Sequence, residues 1–248
     1  KLINKFKEDF EFSSEKSIFM KSSKRITEIS CYNNGDWWVQ NFSSMLPLML
    51  NENMLQGEIL DLCAAPGGKA FQILSKNINI DLNDISTKRL KRLKENLLRL
   101  KFSPEVSNIN ALHYPDNKKF NIILLDAPCS SIGTIRKNPE IFFKNNGPDI
   151  KKLYKLQLEL LVKSSSLLKS KGVIVYMVCS FFFSETIKPI TQFLKTNKNF
   201  SVLKYDYIPE ELKKNKLIFD ENYFLTMPTT YKNYKIDGFF SIQLIKND

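Results

Sequence analysis

The stretch of residues 58–76, EILDLCAAPGGKAFQILSK, decides the fold of this chain. It begins with an apolar run typical of a buried strand, turns through Gly67 and Gly68, and continues with the spacing of a helix. Glycine permits backbone angles and a close ligand approach that a Cβ would block, and the amides at the start of a helix attract anions. The stretch therefore predicts a strand, a loop and a helix that together bind an anionic group.

Apolar runs of strand length recur on both sides of this unit, with amphipathic segments between them. We predict strands near 58–62, 78–82, 105–109, 120–126, 172–179, 200–206 and 238–245. Further helices are predicted over 86–101, with Ser86 as the N-cap, over 150–168 and after Ser184. The segment 12–31 could hold short strands. Alternating strands and helices favour an α/β fold, with a mostly parallel sheet covered by helices on both faces.

Length and composition fit a globular protein with a sizeable core. The chain has 248 residues, of which 43% are apolar. No apolar stretch reaches the length of a membrane span, and the N-terminal segment KLINKFKEDFEF lacks the apolar run of a signal peptide. We therefore expect a cytoplasmic protein. Because the chain begins with Lys1, we also expect a fragment whose upstream part is missing.

The net charge bears on nucleic-acid binding, and the cysteine and histidine content bears on metal sites and on hydrolytic triads. The net charge of +11 favours a polyanionic partner such as nucleic acid, although an AT-rich coding bias toward Lys would give a similar excess. The cysteines, Cys31, Cys63, Cys129 and Cys179, show no CxxC spacing, and His113 is the only histidine. Zinc and Ser-His-Asp chemistry are therefore poorly supported, and we expect no metal.

Three kinds of ligand are known to bind glycine loops of this type, and the sequence distinguishes between them. A phosphate-binding P-loop is excluded, since the residue five before Gly68 is Cys63 and the residue after Lys69 is Ala70, and the GxGxxG pattern is absent. The third kind is S-adenosylmethionine, with an acidic residue at the end of the second strand holding the ribose. Asp84 lies 23 residues beyond Asp61, close to the usual spacing for that contact. The ribose contact is therefore the preferred role of Asp84, with an ordinary cap for the next helix as the alternative.

Two cysteines end neighbouring predicted strands. Cys129 lies in DAPCSSIGTIRKNPE (126–140), Cys179 lies in VYMVCS (175–180), and a serine follows each of them. Because the carboxyl ends of strands line the ligand crevice of open α/β sheets, both thiols can reach one pocket. Either cysteine taken alone would be a buried structural thiol.

The motifs LDLCAAPGGKA (60–70), DAPCSSIGTIRKNPE and VYMVCS, in this order, resemble the Sun/Fmu family of RNA (cytosine-5)-methyltransferases. The bacterial branch that modifies small-subunit ribosomal RNA is the nearest match. GDWWVQNFSSMLP (35–47) and DGFFSIQLIK (237–246) fit as well, so the resemblance covers about 35–248. It implies a Rossmann-like class I methyltransferase fold with a seven-stranded sheet. Residues 39–248 would form the catalytic domain, and residues 1–38 would be a lead-in segment or the remnant of an RNA-binding module.

The resemblance also implies how the thiols are used. Carbon 5 of cytosine is a poor nucleophile, and adding a thiolate to carbon 6 turns the ring into an enamine that can take a methyl group. DNA cytosine methyltransferases attack with the cysteine at the place of Cys129. The RNA family attacks with the later cysteine, here Cys179, and keeps the earlier one to help release the product. Asp126 belongs to the family's active site, and Lys69 would favour the thiolate or contact substrate, unless it is a solvated lysine at a helix start.

The remaining roles follow from the same resemblance. The predicted contacts to S-adenosylmethionine are Cys63, Ala64, Ala65, Pro66, Gly67, Gly68, Lys69, Asp84, Asn110 and Asp126. Arg136 and Lys137 are predicted to meet RNA phosphates, with plain solvent exposure as the alternative for Lys137. The partner is expected to be RNA, from the small ribosomal subunit, and the protein a monomer.

Four departures from the family pattern leave a second function class open. Asn110 and Asn41 replace acidic residues, Val178 replaces a threonine, and FFFSET (181–186) replaces a segment that commonly carries proline, although Glu185 matches its glutamate. An inactive fragment that only binds RNA or cofactor is therefore the alternative to an enzyme. A DNA cytosine methyltransferase is disfavoured, because Cys179 would have no role in it.

Overall fold

The computed structural model describes residues 10–14, 17–20, 24–143, 147–205, 208–214, 217 and 220–248. Within these ranges the strands are β1 Phe10–Ser14, β2 Ser17–Met20, β3 Ile59–Asp61, β4 Asp81–Asn83, β5 Val106–Ser107, β6 Phe120–Asp126, β7 Leu168–Val178, β8 Phe200–Leu203, β9 Tyr223–Thr226, β10 Thr229–Tyr231, β11 Tyr234–Ile236 and β12 Phe239–Lys246. The helices are α1 Phe42–Met49, α2 Gly68–Leu74, α3 Thr87–Leu100, α4 Ile150–Leu167, α5 Ile187–Thr196 and α6 Glu210–Lys214.

The central sheet contains all seven predicted strands. Its order is β5-β4-β3-β6-β7-β12-β8, and β9 adds an eighth strand beside β12. The five strands from β5 to β7 in this order run parallel, and β12 runs antiparallel to β7, β8 and β9. The predicted Rossmann-like α/β fold is confirmed, with one strand, β9, beyond the seven that were predicted.

The helices cover both faces of this sheet, as predicted. Successive residues of β6 point to opposite faces, so that Leu124 packs with α1, α2 and α3 while Leu125 packs with α4 and α5. The start of α3 is capped as predicted, since Ser86 Oγ accepts a hydrogen bond from the Arg89 amide at 3.3 Å. Loops at the carboxyl ends of β3, β6 and β7 then carry the candidate site.

Some boundaries differ from the prediction. β7 begins at Leu168, directly after α4 and four residues earlier than predicted. Leu168 pairs with Phe120, and the register shifts before the regular pairing resumes at Ile122, while Lys171 adopts a positive φ of 59°. The charged residues of this irregular stretch hid the strand in the sequence. Helix α1, which contains Pro47, and the hairpin of β10 and β11 were not predicted.

The short strands expected in 12–31 exist as the hairpin of β1 and β2. Phe19 of this hairpin stacks on Tyr234 with a ring separation of 4.4 Å, and its ring lies 5.0 Å from that of Phe42. The domain boundary at residue 38 stays a prediction. In the described ranges, no helix has the length and apolarity that a membrane crossing requires.

Candidate active site

The loop between β3 and α2 forms one wall of a cavity. The Ala64 amide donates to the Asn83 carbonyl at 2.8 Å, which fixes the loop against β4. Gly67 has φ of 110°, and a Cβ there would lie 2.4 Å from Phe71 and 2.5 Å from Leu93. Only glycine fits this position, so the sequence-based argument for the tight loop holds.

The cavity has a volume of about 290 Å³, near the lower end of the range for ligand pockets. The predicted residues that line it are Ala64, Pro66, Gly67, Gly68, Lys69 and Asp126. The segment 38–41 contributes a second wall, which the motif WWVQN marked in the sequence without assigning it a role. Arg99 holds the preceding turn against α3, since its guanidinium donates to the Tyr32 carbonyl at 2.7 Å and lies 3.9 Å from the Tyr32 ring centre.

Asp61 is a lining residue that the sequence analysis used only for spacing. It is 1% exposed, and among the described residues its Oδ1 has no hydrogen-bond partner. Burial raises the pKa of Asp61 to about 7, an effect opposed by Lys69 and increased by Asp126. A carboxylate inside an apolar strand, ILD, was the signal in the sequence.

Lys69 and Asp126 form an ion pair inside the cavity. Lys69 Nζ lies 2.6 Å from Asp126 Oδ2, and the lysine side chain is only 11% exposed. Burial disfavours the charged ammonium, but the attraction of Asp126 outweighs burial and leaves the pKa of Lys69 above its usual range. The alternative of a solvated lysine at a helix start is therefore wrong.

The two predicted thiols meet. The Sγ atoms of Cys129 and Cys179 lie 3.3 Å apart, and Ser131 Oγ lies 3.4 Å from Cys179 Sγ. The hydrogen bond with Cys129 lowers the pKa of Cys179 against the opposing effects of burial and Asp126, and Ser131 and Lys69 help to lower it. The same hydrogen bond, together with burial, raises the pKa of Cys129 well above its usual value. Cys179 is thus the thiol that the surroundings prepare as a thiolate.

A second cavity of about 440 Å³ adjoins the thiols. It is lined by Cys129, Ser130, Ser131, Asn138, Glu140, Ile141, Gly147 and Pro148. Cys129 therefore faces a space distinct from the one lined by Lys69 and Asp126. The thiol pair lies at the end of β6 and β7 with room for a molecule beside it.

Asp84, Asn110, Cys63 and Ala65 are not among the lining residues of either cavity. Asp84 is 1% exposed, and its carboxylate accepts hydrogen bonds from the Ala65 and Ser86 amides and from Arg89. These hydrogen bonds hold the turn before α3, but the N-cap of α3 is Ser86, so Asp84 is not the cap of that helix. The ribose contact of Asp84 stays a prediction. Asn110 is exposed and caps a short helical turn by accepting from the Leu112 amide at 3.1 Å. Burial raises the pKa of Cys63, which packs in the core under α4.

Arg136 and Lys137, the predicted RNA contacts, both pair with Asp237. Arg136 Nη2 lies 3.2 Å from Asp237 Oδ1, and Lys137 Nζ lies 2.8 Å from Oδ2. Asn41 Nδ2 also donates to Oδ2 at 2.7 Å. An aspartate at position 41, the residue usual in the resembled family, could not make this donation. The two cations compensate a carboxylate that is 4% exposed, and this limits their positive field toward a ligand.

Comparisons with known proteins agree with the fold. The family model described as 16S rRNA methyltransferase RsmB/F matches residues 47–245. Ribosomal RNA small subunit methyltransferase B of Photorhabdus laumondii is 36% identical over 191 residues, which are 75% of this chain and 44% of that protein. The relative of the same name from Shewanella oneidensis is 29% identical over 94% of this chain and 53% of its own length. This chain spans about half the length of these curated relatives.

Solved structures of two other proteins have a similar fold. The crystal structure of PH0851 is similar with a TM-score of 0.80 and 30% identity, over 96% of this chain and 54% of that one. NSun6 from Pyrococcus horikoshii, solved with SFG, is similar in fold with a TM-score of 0.75 and 24% identity, over 91% of this chain and 57% of that one.

Proposed function

Because the chain belongs to the 16S rRNA methyltransferase RsmB/F family, we propose that it transfers a methyl group to carbon 5 of a cytosine in RNA. S-adenosylmethionine is the methyl donor. The single observation that carries the proposal is the distance of 3.3 Å between the Sγ atoms of Cys129 and Cys179. A methyltransferase that acts on an already nucleophilic ring nitrogen or hydroxyl has no use for a paired thiol, whereas carbon 5 of cytosine needs one.

The residues of the first cavity fit the donor. S-adenosylmethionine supplies an electrophilic methyl group on a sulfonium, and its methionine part carries a cationic ammonium. Asp61 offers an unpartnered carboxylate oxygen to a cation, and Gly67 and Gly68 leave room where a Cβ would fill the loop. We propose that Ala64, Pro66, Gly67, Gly68, Lys69 and Asp126 hold the donor with Asp61. Ala65, Cys63 and Asp84 would support this loop, and a contact by Asp84 or Asn110 would require their side chains to turn.

The thiols divide the chemistry between them. The Cys179 thiolate adds to carbon 6, and the electron pair of the C5–C6 bond becomes available at carbon 5 for attack on the methyl group. Water then accepts the proton at carbon 5, the electron pair of that C–H bond re-forms the C5–C6 double bond, and the C6–S bond breaks to release Cys179 as a thiolate. Cys129, with its raised pKa, keeps its proton and donates a hydrogen bond that stabilises the departing Cys179 thiolate. The positive charge of Lys69 favours the Cys179 thiolate, whereas Asp126, its partner in the ion pair, opposes it.

The second cavity would admit the target base. Cytosine must leave its stack for a thiol to approach carbon 6 from above the ring plane. We propose that the base enters beside Cys129 with Asn138 and Glu140 at the rim. We further propose that residues 39–248 act as a monomeric catalytic domain on small-subunit ribosomal RNA in the cytoplasm.

Incubation of the chain with labelled S-adenosylmethionine and a small-subunit ribosomal RNA transcript, followed by nucleoside analysis, tests the proposal. The label should appear in 5-methylcytidine, and RNA containing 5-azacytidine should form a complex that survives denaturation. Label in another nucleoside would contradict the assigned chemistry. Binding of donor and RNA without methylation or covalent complex would favour the inactive fragment.

A further inference from the structure

Glu185 is a fully buried carboxylate between the loops that follow β6 and β7. Its Oε1 accepts hydrogen bonds from the Ser130 amide at 2.7 Å and from Gln157 Nε2 at 3.4 Å. Its Oε2 accepts from Ser130 Oγ at 2.5 Å and from Ser180 Oγ at 2.6 Å. All four donors are neutral, and the ion pairs of the described residues include none with Glu185. A buried carboxylate without a cation is costly unless its hydrogen bonds are complete.

The two serines place this carboxylate in contact with both thiol loops. Ser130 follows Cys129 directly, and Ser180 follows Cys179 directly. Each hydroxyl also accepts a backbone amide of its own loop, from Ile132 at 3.3 Å and from Phe182 at 3.2 Å. The carboxylate is therefore hydrogen-bonded to both loops, through Ser130 in one and Ser180 in the other, and fixes the position of one loop relative to the other.

Glu185 is itself held from two further elements. Tyr176 Oη in β7 donates to the Glu185 carbonyl at 2.7 Å. Gln157 in α4, which is fully buried, also donates to the Pro128 carbonyl at 2.9 Å. The anchor is thus fixed to the sheet and to the helix that covers it, as a rigid support for reacting groups requires.

We propose that Glu185 is a positioning residue that sets the separation of the Cys129 and Cys179 sulfur atoms. This inference rests on the proposed function, because the separation matters only if both thiols serve one reaction. A glutamine at this position keeps the volume but replaces one acceptor oxygen by a donating amide. It therefore cannot accept both from the two serine hydroxyls, which share Oε2, and from the Ser130 amide and Gln157, which share Oε1. The loops would then settle at a different separation.

The reactivity of Cys179 reports that separation. The groups that face Cys179 are Cys129, Ser131, Lys69 and Asp126, and the hydrogen bond from Cys129 is the strongest influence that lowers its pKa. If the loops move apart, this hydrogen bond is lost while Lys69 and Asp126 stay in place.

The test is the pH dependence of iodoacetamide alkylation at Cys179, read by peptide mass spectrometry in the unmodified protein and in Glu185→Gln. The midpoint should rise by about one pH unit in the variant. In the methylation assay kcat should fall about 10²-fold while KM for RNA changes far less, since a displacement of about 1 Å suffices for such a loss. Alkylation needs neither RNA nor donor, so its result stands even if the proposed cytosine chemistry fails.

Gln243→Leu is the matched control. Gln243 is 1% exposed, donates a hydrogen bond to Asn51 at 2.7 Å, and lies in β12 opposite Val175, away from the end of β7 that carries Cys179. This variant should lose stability without moving the Cys179 midpoint. The proposal is overturned if Glu185→Gln lowers the melting temperature like Gln243→Leu and leaves the midpoint unchanged.

Ser130→Ala and Ser180→Ala provide milder variants should Glu185→Gln not fold. Each should move the Cys179 midpoint upward, and the double variant should move it by less than the sum, because both changes break one shared link. Additive shifts, or no shift in either variant, would show that the serines and Glu185 do not act as one unit.

Discussion

Two regions of the molecule hold buried charge, but they differ in their bonding. One is the active site, with Asp61, the ion pair of Lys69 and Asp126, and the two thiols, and the other is the ion-pair cluster around Asp237. In the active site, Asp61 Oδ1 lacks a partner among the described residues, and the hydrogen bonds of Cys179 Sγ within the described ranges are with one thiol and one hydroxyl. At Asp237 both carboxylate oxygens are paired with Arg136 and Lys137, and its carbonyl accepts from Ser43 and Thr226. The active site therefore has a carboxylate oxygen left to bind a ligand, whereas both carboxylate oxygens of Asp237 are already paired within the protein.

This difference bears on the prediction that Arg136 and Lys137 bind RNA phosphates. A cation close to a base pocket suggests phosphate binding, yet Arg136 and Lys137 are committed to a carboxylate about 100 residues away along the chain. Unsatisfied buried groups are better markers of a site than exposed cations. The predictions below test whether the two regions differ in function as they do in bonding.

Cys179→Ala should have the largest effect. Removal of the attacking thiol should lower single-turnover methyl transfer by about 10⁴-fold or more, because no other thiol is prepared as a thiolate. Binding of S-adenosylmethionine and the melting temperature should change little. Retention of more than a tenth of the rate would assign the attack to another group.

Lys69→Met should lower methyl transfer at neutral pH by about 10²-fold. Lys69 lowers the pKa of Cys179, so its loss should raise that pKa and move the optimum of methyl transfer to higher pH. Lys76→Met is the matched control, because Lys76 also pairs with a carboxylate, that of Glu52, but does not line the cavity. Equal pH profiles for the two variants would remove Lys69 from the site.

Asp61→Asn should alter the pH dependence of stability. The pKa of Asp61 is about 7 in the folded chain against an ordinary value of 3.8, so the carboxylate's contribution to stability is full below pH 3.8 and is lost as the pH rises through 7. Relative to the parent, the variant should gain on the order of 4 kcal/mol between pH 4 and pH 8. Chemical denaturation at several pH values measures this difference. A constant difference would show that Asp61 ionises normally.

The same variant should bind S-adenosylmethionine more weakly, by about tenfold, because an amide replaces the carboxylate that faces the cationic donor. Calorimetry at pH 8 provides the measurement. Unchanged affinity would leave Asp61 outside the donor site.

The smallest effects are expected at the ion-pair cluster around Asp237. Asp237→Ala should lower the free energy of unfolding by about 2 kcal/mol, Arg136→Ala by about 1 kcal/mol and the more exposed Lys137→Ala by less. Since Asp237 compensates both cations, the salt dependence of RNA binding should stay the same in Arg136→Ala and Lys137→Ala. A slope lower by about one in either variant would establish a phosphate contact after all.

The sequence predicted what depends on local pattern. Periodicity, strand ends and motif order predicted seven of the eight strands of the main sheet, the glycine loop at Gly67 and the meeting of Cys129 with Cys179. The partners of Arg136, the unpaired oxygen of Asp61 and the link from Glu185 to Ser130 and Ser180 depend on tertiary packing across the chain. Asp84 is the clearest example of what spacing alone leaves undetermined. Its distance from Asp61 along the chain suits a ribose contact, but in the structure its oxygens accept hydrogen bonds from Ala65, Ser86 and Arg89.

The most direct test of the account is to map the covalent complex formed by Cys129→Ala. With S-adenosylmethionine and RNA that carries the target cytosine, this variant should accumulate a methylated adduct that is joined to the protein through Cys179, as shown by mass spectrometry of the crosslinked peptide. An adduct absent from Cys129→Ala but present in Cys179→Ala, and joined through Cys129, would contradict the assignment of the two thiols.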